Sequence, residues 1–301
     1  MRYTSPERNF IPSPPDIMNI GVLVNTCDRF ADCWDLFFHQ WCRYRNGIEW
    51  PLYLNTEHAD YTYPAGISGH ALAVCRPRPG YKGWTGEGIP TWSWCVIHAL
   101  ESMPEDVVLY MQEDYFLTRN IDTEKVQELA ALMQNNPDIE CVHLHTSGNT
   151  HNKPSVFSGL RRSSRIDRYY VSCQAALWKK STLLALLREH ENAWQFERWG
   201  TNRARVLRCH FYTAAYSGYS PIEYFCTGIV QGKWLHPVEE LFETAGIEMD
   251  FSKRGFWKKR QGLWQHLKWV VEKIKMRIWP PKSMWSVVRC VFSSDRRSSS
   301  E

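Results

Sequence analysis

The sequence predicts an α/β fold: a mixed, mainly parallel sheet flanked by helices, with a helical extension at the C-terminal end. Three observations lead there. Short apolar runs suited to buried strands recur at Asn19–Asn25, Trp50–Asn55 and Val107–Met111. Helical stretches lie between them, the first carrying Phe30, Trp34, Phe37, Phe38 and Trp41 at spacings of three and four. The third run stops abruptly in Gln112-Glu113-Asp114. Parallel strands covered on both faces end this way at the sheet edge where ligands bind.

Each element follows in order. Three prolines within four residues, Pro12 to Pro15, block regular hydrogen bonding, so residues 1–18 are expected to form a disordered or loosely docked arm. A third strand is predicted from Ala71 to Cys75. After a glycine-rich loop comes a helix from Thr91 to Ser102, which Pro104 closes. Asp122 caps a helix running to about Gln134, and Cys141–His145 forms a further strand. The polar, basic loop Ser147–Arg168 interrupts this order. Tyr169–Trp178 then returns to strand character and Lys180–His190 to a leucine-rich helix.

Composition narrows the function classes. A chain of 301 residues with 44% hydrophobic content can bury a sizeable core, and a net charge of +4 argues against a general nucleic-acid binder. No apolar run approaches the roughly 20 residues of a spanning helix, and no signal peptide follows Met1. A cytoplasmic protein is expected, able to sit on the inner face of a membrane. The ten cysteines are scattered without Cys-x-x-Cys or Cys/His ligand spacing, as expected of free core thiols rather than a zinc site.

The order of these elements resembles glycosyltransferases of the GT-A (Rossmann-like) fold, especially the family-2-like enzymes of bacterial and viral polysaccharide synthesis. Val22–Arg29 is similar to their opening strand and turn, and Val107–Asp114 to the strand bearing their Asp-x-Asp motif. The likeness spans roughly Asn19 to Phe251, which sets a catalytic domain at 19–252 and a tail at 253–301. It implies an inverting transfer of sugar from a UDP-, dTDP- or GDP-sugar donor to a glycan or lipid-linked glycan.

The resemblance also implies roles. Thr26, Asp28 and Arg29 would lie beside the nucleotide, Asn55 and Glu57 near its base or ribose, and Trp92 and Gln174 near the donor sugar. Glu113 and Asp114 would face the diphosphate. Gln112 stands where the motif has an acid, which leaves Asp114 as the ligand of a divalent cation, Mn2+ or Mg2+; His210 or His236 could add a second. Glu197 is the expected base that takes the acceptor's proton, with Glu191 its weaker rival. Lys233, in the glycine-bearing segment Thr227–Trp234, could bring positive charge to the diphosphate.

From Lys253 to Arg289 basic residues interleave with Trp257, Trp264, Trp269, Trp279 and Trp285, against Glu272 alone. A helix over about Phe256–Ile278, stopped by Pro280-Pro281, would suit the cytoplasmic face of a membrane. Residues from Ser293 onward are expected to be disordered. Two other classes stay open: a sugar-phosphate nucleotidyltransferase, although Asn25–Arg29 lacks its glycine density, and a non-catalytic protein binding membrane or nucleic acid.

Overall fold

A computed structural model describes residues 20–145, 151–216, 218–225, 227–258 and 281–294. The N-terminal arm and most of the expected tail helix lie outside the described residues. β1 (Ile20–Asn25) leads through a 3-10 turn (Asp28–Cys33) into α1 (Trp34–Tyr44), followed by β2 (Leu52–Asn55) and β3 (Gly69–Ala71). Next come α2 (Trp92–Ser102), β4 (Val107–Gln112), α3 (Thr123–Asn135) and β5 (Cys141–His143). Two short strands, β6 (Lys153–Pro154) and β7 (Arg161–Arg162), precede β8 (Ala176–Lys179) and α4 (Lys180–Leu186).

The later part contains α5 (Ala193–Gln195), a π-turn (Phe196–Gly200) and α6 (Thr201–Val206), then β9 (Phe211–Thr213). A hairpin of β10 (Ile229–Val230) and β11 (Lys233–Trp234), α7 (Pro237–Ala245) and α8 (Pro281–Ser294) complete it.

The main sheet has the order β3-β2-β1-β4-β8-β5-β9-β7-β6. β3, β2, β1 and β4 run parallel, and β8 is antiparallel to both of its neighbours. This is the mixed, mainly parallel α/β sheet the sequence predicts. Alternation along the strands divides the core in two. Val22, Val24, Leu109 and Met111 face one cluster with α1, α3 and α7, whereas Leu23, Val108 and Tyr110 face another with α2 and α4.

Several elements differ from expectation. β3 ends at Ala71 rather than running to Cys75, because Ala73 adopts a left-handed φ of 44° that turns the chain out of the strand. The expected strand over Tyr169–Trp178 shrinks to β8. Its upstream N–H groups bond to side chains instead of a ladder: Val171 to Thr201, Cys173 to Glu197, Gln174 to Ser172 and Ala175 to Tyr224. Leu187, with ψ at 153°, ends α4 before His190.

The tail also departs from expectation. Gly255 and Trp257 hydrogen-bond to Trp234 of β11 through their backbones, so the chain is extended where the tail helix was expected to begin. Pro281, read as part of a helix stop, opens α8 instead; proline lacks only the N–H that a first helical residue does not need. That helix continues through Ser294, past the expected onset of disorder at Ser293.

Candidate active site

Three strands end level with one another. Asn25 is paired in register with Asn55 on one side and Gln112 on the other, so the turns after β1, β2 and β4 share one edge. Because β8 runs the opposite way, its N-terminal lead-in, Cys173–Ala175, returns to that edge beside β4. The residues expected from the first and second strands, from the acid motif and from Gln174 therefore converge.

The turn after β1 is tied to the turn after β2. Asp28 accepts hydrogen bonds from the backbone N–H groups of Glu57, His58 and Ala59 at 2.9, 2.8 and 3.1 Å, and Glu57 accepts from the Asp28 N–H at 3.1 Å. Asn55 is fully buried and donates to Asn25 at 2.8 Å. Thr26, also buried, accepts from the Trp34 indole at 2.9 Å. These side chains shape the edge by holding its backbone. Arg29 is the exposed one of the group, and its carbonyl accepts from Arg254.

Glu113 and Asp114 lie together at the centre. The buried Asp114 carboxylate accepts from the Thr227 hydroxyl at 2.5 Å and the Ile229 N–H at 3.2 Å, while the Gly228 N–H bonds to the Asp114 carbonyl. Burial raises its pKa above the usual carboxylate range, and those donors draw it back. Glu113 is pushed well up, first by burial and then by the neighbouring Asp114 charge. Two adjacent carboxylates destabilised in their charged forms are chemically suited to a divalent cation, which would favour ionisation of both.

Among the described residues, no group of three or more His, Cys, Asp and Glu side chains could hold an ion by itself. His210 precedes β9 at the opposite edge of the sheet, and His236 stacks on Phe256 at 4.2 Å. Asp114, with Glu113 beside it, could hold a cation here, with the remaining ligands supplied by a phosphate-bearing molecule and water.

The wall formed by Cys173 and Gln174 connects this centre to Glu197. Gln174 donates to the Tyr115 hydroxyl at 3.1 Å and accepts from Tyr224 at 2.7 Å, and the two tyrosines stack at 4.5 Å. Tyr115 in turn donates to the Cys173 carbonyl at 3.0 Å. The Cys173 N–H donates to Glu197 at 3.0 Å. Burial raises the Glu197 pKa, opposed by that N–H and by the Arg168 charge.

Glu197 sits on the π-turn, where an extra residue in the helical repeat sets it beside β8. Trp92 packs on Phe196 at 5.4 Å, next to this turn. Glu191 is fully buried and bonded to Arg203 at 2.5 and 2.8 Å, so it has no access to a substrate. Trp178 is also in the core, edge-on to Phe211, and offers no face to a sugar.

Lys233 is exposed near the tip of the β10–β11 hairpin, whose first residue, Ile229, donates its N–H to Asp114. Gln231 and Gly232 both have positive φ, at 54° and 76°, which gives the two-residue turn favoured between twisted strands. Sequence reasoning missed Arg254, which it assigned to the tail. Its guanidinium pairs with Asp32 at 2.5 and 2.6 Å, lies over Phe30 at 4.4 Å and partly offsets the Glu113 charge. Tyr115, Tyr224 and Thr227 were missed too, since nothing local marks a hydroxyl that reaches across fifty residues or more.

The fold and this edge define an α/β protein with paired carboxylates at the C-terminal ends of parallel strands. No family model and no curated protein matches the chain. Among solved structures it is similar to S. aureus TarS 1-349, with 11% identity over 79% of this chain and 68% of that chain at a TM-score of 0.39. TarS 1-349 in complex with UDP-GlcNAc gives 12%, 79%, 69% and 0.39. A CMP:2-keto-3-deoxy-manno-octonic acid synthetase complexed with CTP gives 12%, 77%, 98% and 0.36.

Proposed function

We propose that this chain is a GT-A-type glycosyltransferase that moves a sugar, with inversion, from a nucleotide-diphosphate donor to a glycan or lipid-linked glycan in polysaccharide synthesis. One observation carries this reading: Asp114 and the proton-seeking Glu197 stand on the same sheet edge, connected through Tyr115 and Cys173.

The donor's diphosphate lies at Glu113 and Asp114, beside the ends of β1 and β2. Asp114 would hold a divalent cation, Mn2+ or Mg2+, which would supply the charge that neutralises the departing diphosphate. Glu197 accepts the proton of the acceptor hydroxyl. The freed oxygen attacks the anomeric carbon from the opposite face, the new C–O bond forms, and the bond to the diphosphate breaks with its electron pair. A raised pKa makes Glu197 a stronger base than an exposed carboxylate, and Gln174 holds the wall between the two centres.

The test is incubation with UDP-, dTDP- and GDP-sugars, measuring nucleoside diphosphate release and donor binding by calorimetry. Release from one donor class supports the proposal. Absence of both release and binding across all three contradicts it.

A further inference from the structure

Among the side chains described between Lys282 and Cys290, α8 buries small polar residues and exposes large apolar ones. It buries Ser283, Ser286 and Cys290 and exposes Met284 (50%) and Trp285 (59%). The inward face is fixed by polar contacts: Ser283 with His190 at 2.9 Å, Ser286 with the buried Arg203 at 2.9 Å, and Cys290 with Arg188 at 3.7 Å. On the outward face Lys282, Trp285 and Arg289 follow at helical spacings of three and four, all exposed.

Two further exposed apolar side chains adjoin it. Trp194 (55%) stands on α5, just past the Glu189–Asn192 segment to which α8 is bonded. Ile89 (82%) precedes Thr91 and Ser93, which bond to the carbonyls of Glu189 and Glu191. Ile89, Trp194, Met284 and Trp285 thus come from three stretches of chain that are each bonded to, or continuous with, residues 189–192.

We infer that this patch is a docking surface for an anionic lipid bilayer. Charge identifies the occupant: α8 has no acidic residue, and the sequence entering it carries Lys259, Arg260, Lys268, Lys273, Lys275 and Arg277 against Glu272. Tryptophan between basic residues occupies the headgroup level, its ring in the acyl boundary and the flanking cations on lipid phosphates. Among the described residues no helix is long and apolar enough to cross a membrane. Trp194 lies three residues before Glu197 in the chain. The docking itself does not depend on any transfer reaction.

The test is co-sedimentation of the full chain with phosphatidylcholine vesicles, with and without about 30% phosphatidylglycerol. Wild type should bind the anionic vesicles, more weakly as salt rises. Met284→Ser/Trp285→Ser, and separately Ile89→Ser, should each weaken binding, the double variant by about tenfold or more. Unchanged thermal unfolding of both variants shows that the fold is intact. Wild-type failure to bind overturns the inference, as does equal binding by the variants, which would assign the contact to the basic residues alone. Binding of an oligonucleotide in preference to the vesicles overturns it as well.

Discussion

The Thr227 hydroxyl donates to the Asp114 carboxylate at 2.5 Å, joining residues 113 positions apart in the chain. This bond and the Ile229 N–H hold a carboxylate that is 6% exposed. Thr227→Val keeps the shape and removes one donor. The Asp114 pKa should rise further, and donor binding should be lost at a higher pH on the acid side than in wild type. Stability at neutral pH should fall by about 1–3 kcal/mol. Calorimetry across pH and urea unfolding check the two effects.

Glu197 must be ionised to accept a proton. Its raised pKa predicts that turnover climbs with pH through a limb above the ordinary carboxylate range. Arg168→Ala removes a charge that lowers this pKa, so the limb should move to higher pH. Glu197→Gln should abolish the limb and cost about 10²–10⁴-fold in rate. A pH–rate profile of the three proteins decides the matter, and an unmoved limb in Arg168→Ala counts against the assignment.

Glu113 should also appear in stability. Its folded-state pKa lies well above the unfolded value, so between the two the folded protein binds more protons. Stability should therefore fall as pH rises through that window. Glu113→Gln should flatten the dependence, and Mn2+ should restore stability to wild type at the upper end. Thermal unfolding at a series of pH values, with and without Mn2+, measures this.

Arg203 and Glu191 form an ion pair with no exposure on either side chain. Glu191→Ala leaves a guanidinium buried without its counter-charge and should cost about 3–5 kcal/mol. Since Arg203 also bonds to Ser286, the variant should release α8 to proteolysis before the rest of the fold opens. Limited digestion combined with denaturant unfolding tests both consequences.

The strands of the parallel half were legible because strands buried on both faces show as continuous apolar runs, as at Val107–Met111, whereas the order of the nine-stranded sheet was not. The edge at which Asp114 ends β4 followed from the alternation of strands and helices, while Glu197 was named from the family resemblance alone. What single side chains do there was not legible. Asp28 and Thr26 hold backbone and indole groups instead of standing free, because their partners lie in another turn and another helix. Arg254 escaped notice because a basic tail looks alike at every residue, and only the fold selects the one that reaches Asp32. The hairpin over Asp114 begins its turn with Gln231, where Asn or Asp is the usual signal.

The most direct test compares wild type, Asp114→Asn and Glu197→Gln for donor binding and sugar transfer, with and without Mn2+. The proposal predicts that Asp114→Asn loses donor affinity and its response to Mn2+, whereas Glu197→Gln binds donor normally and transfers about 10²–10⁴-fold more slowly. Wild-type transfer left unchanged by both substitutions would contradict it.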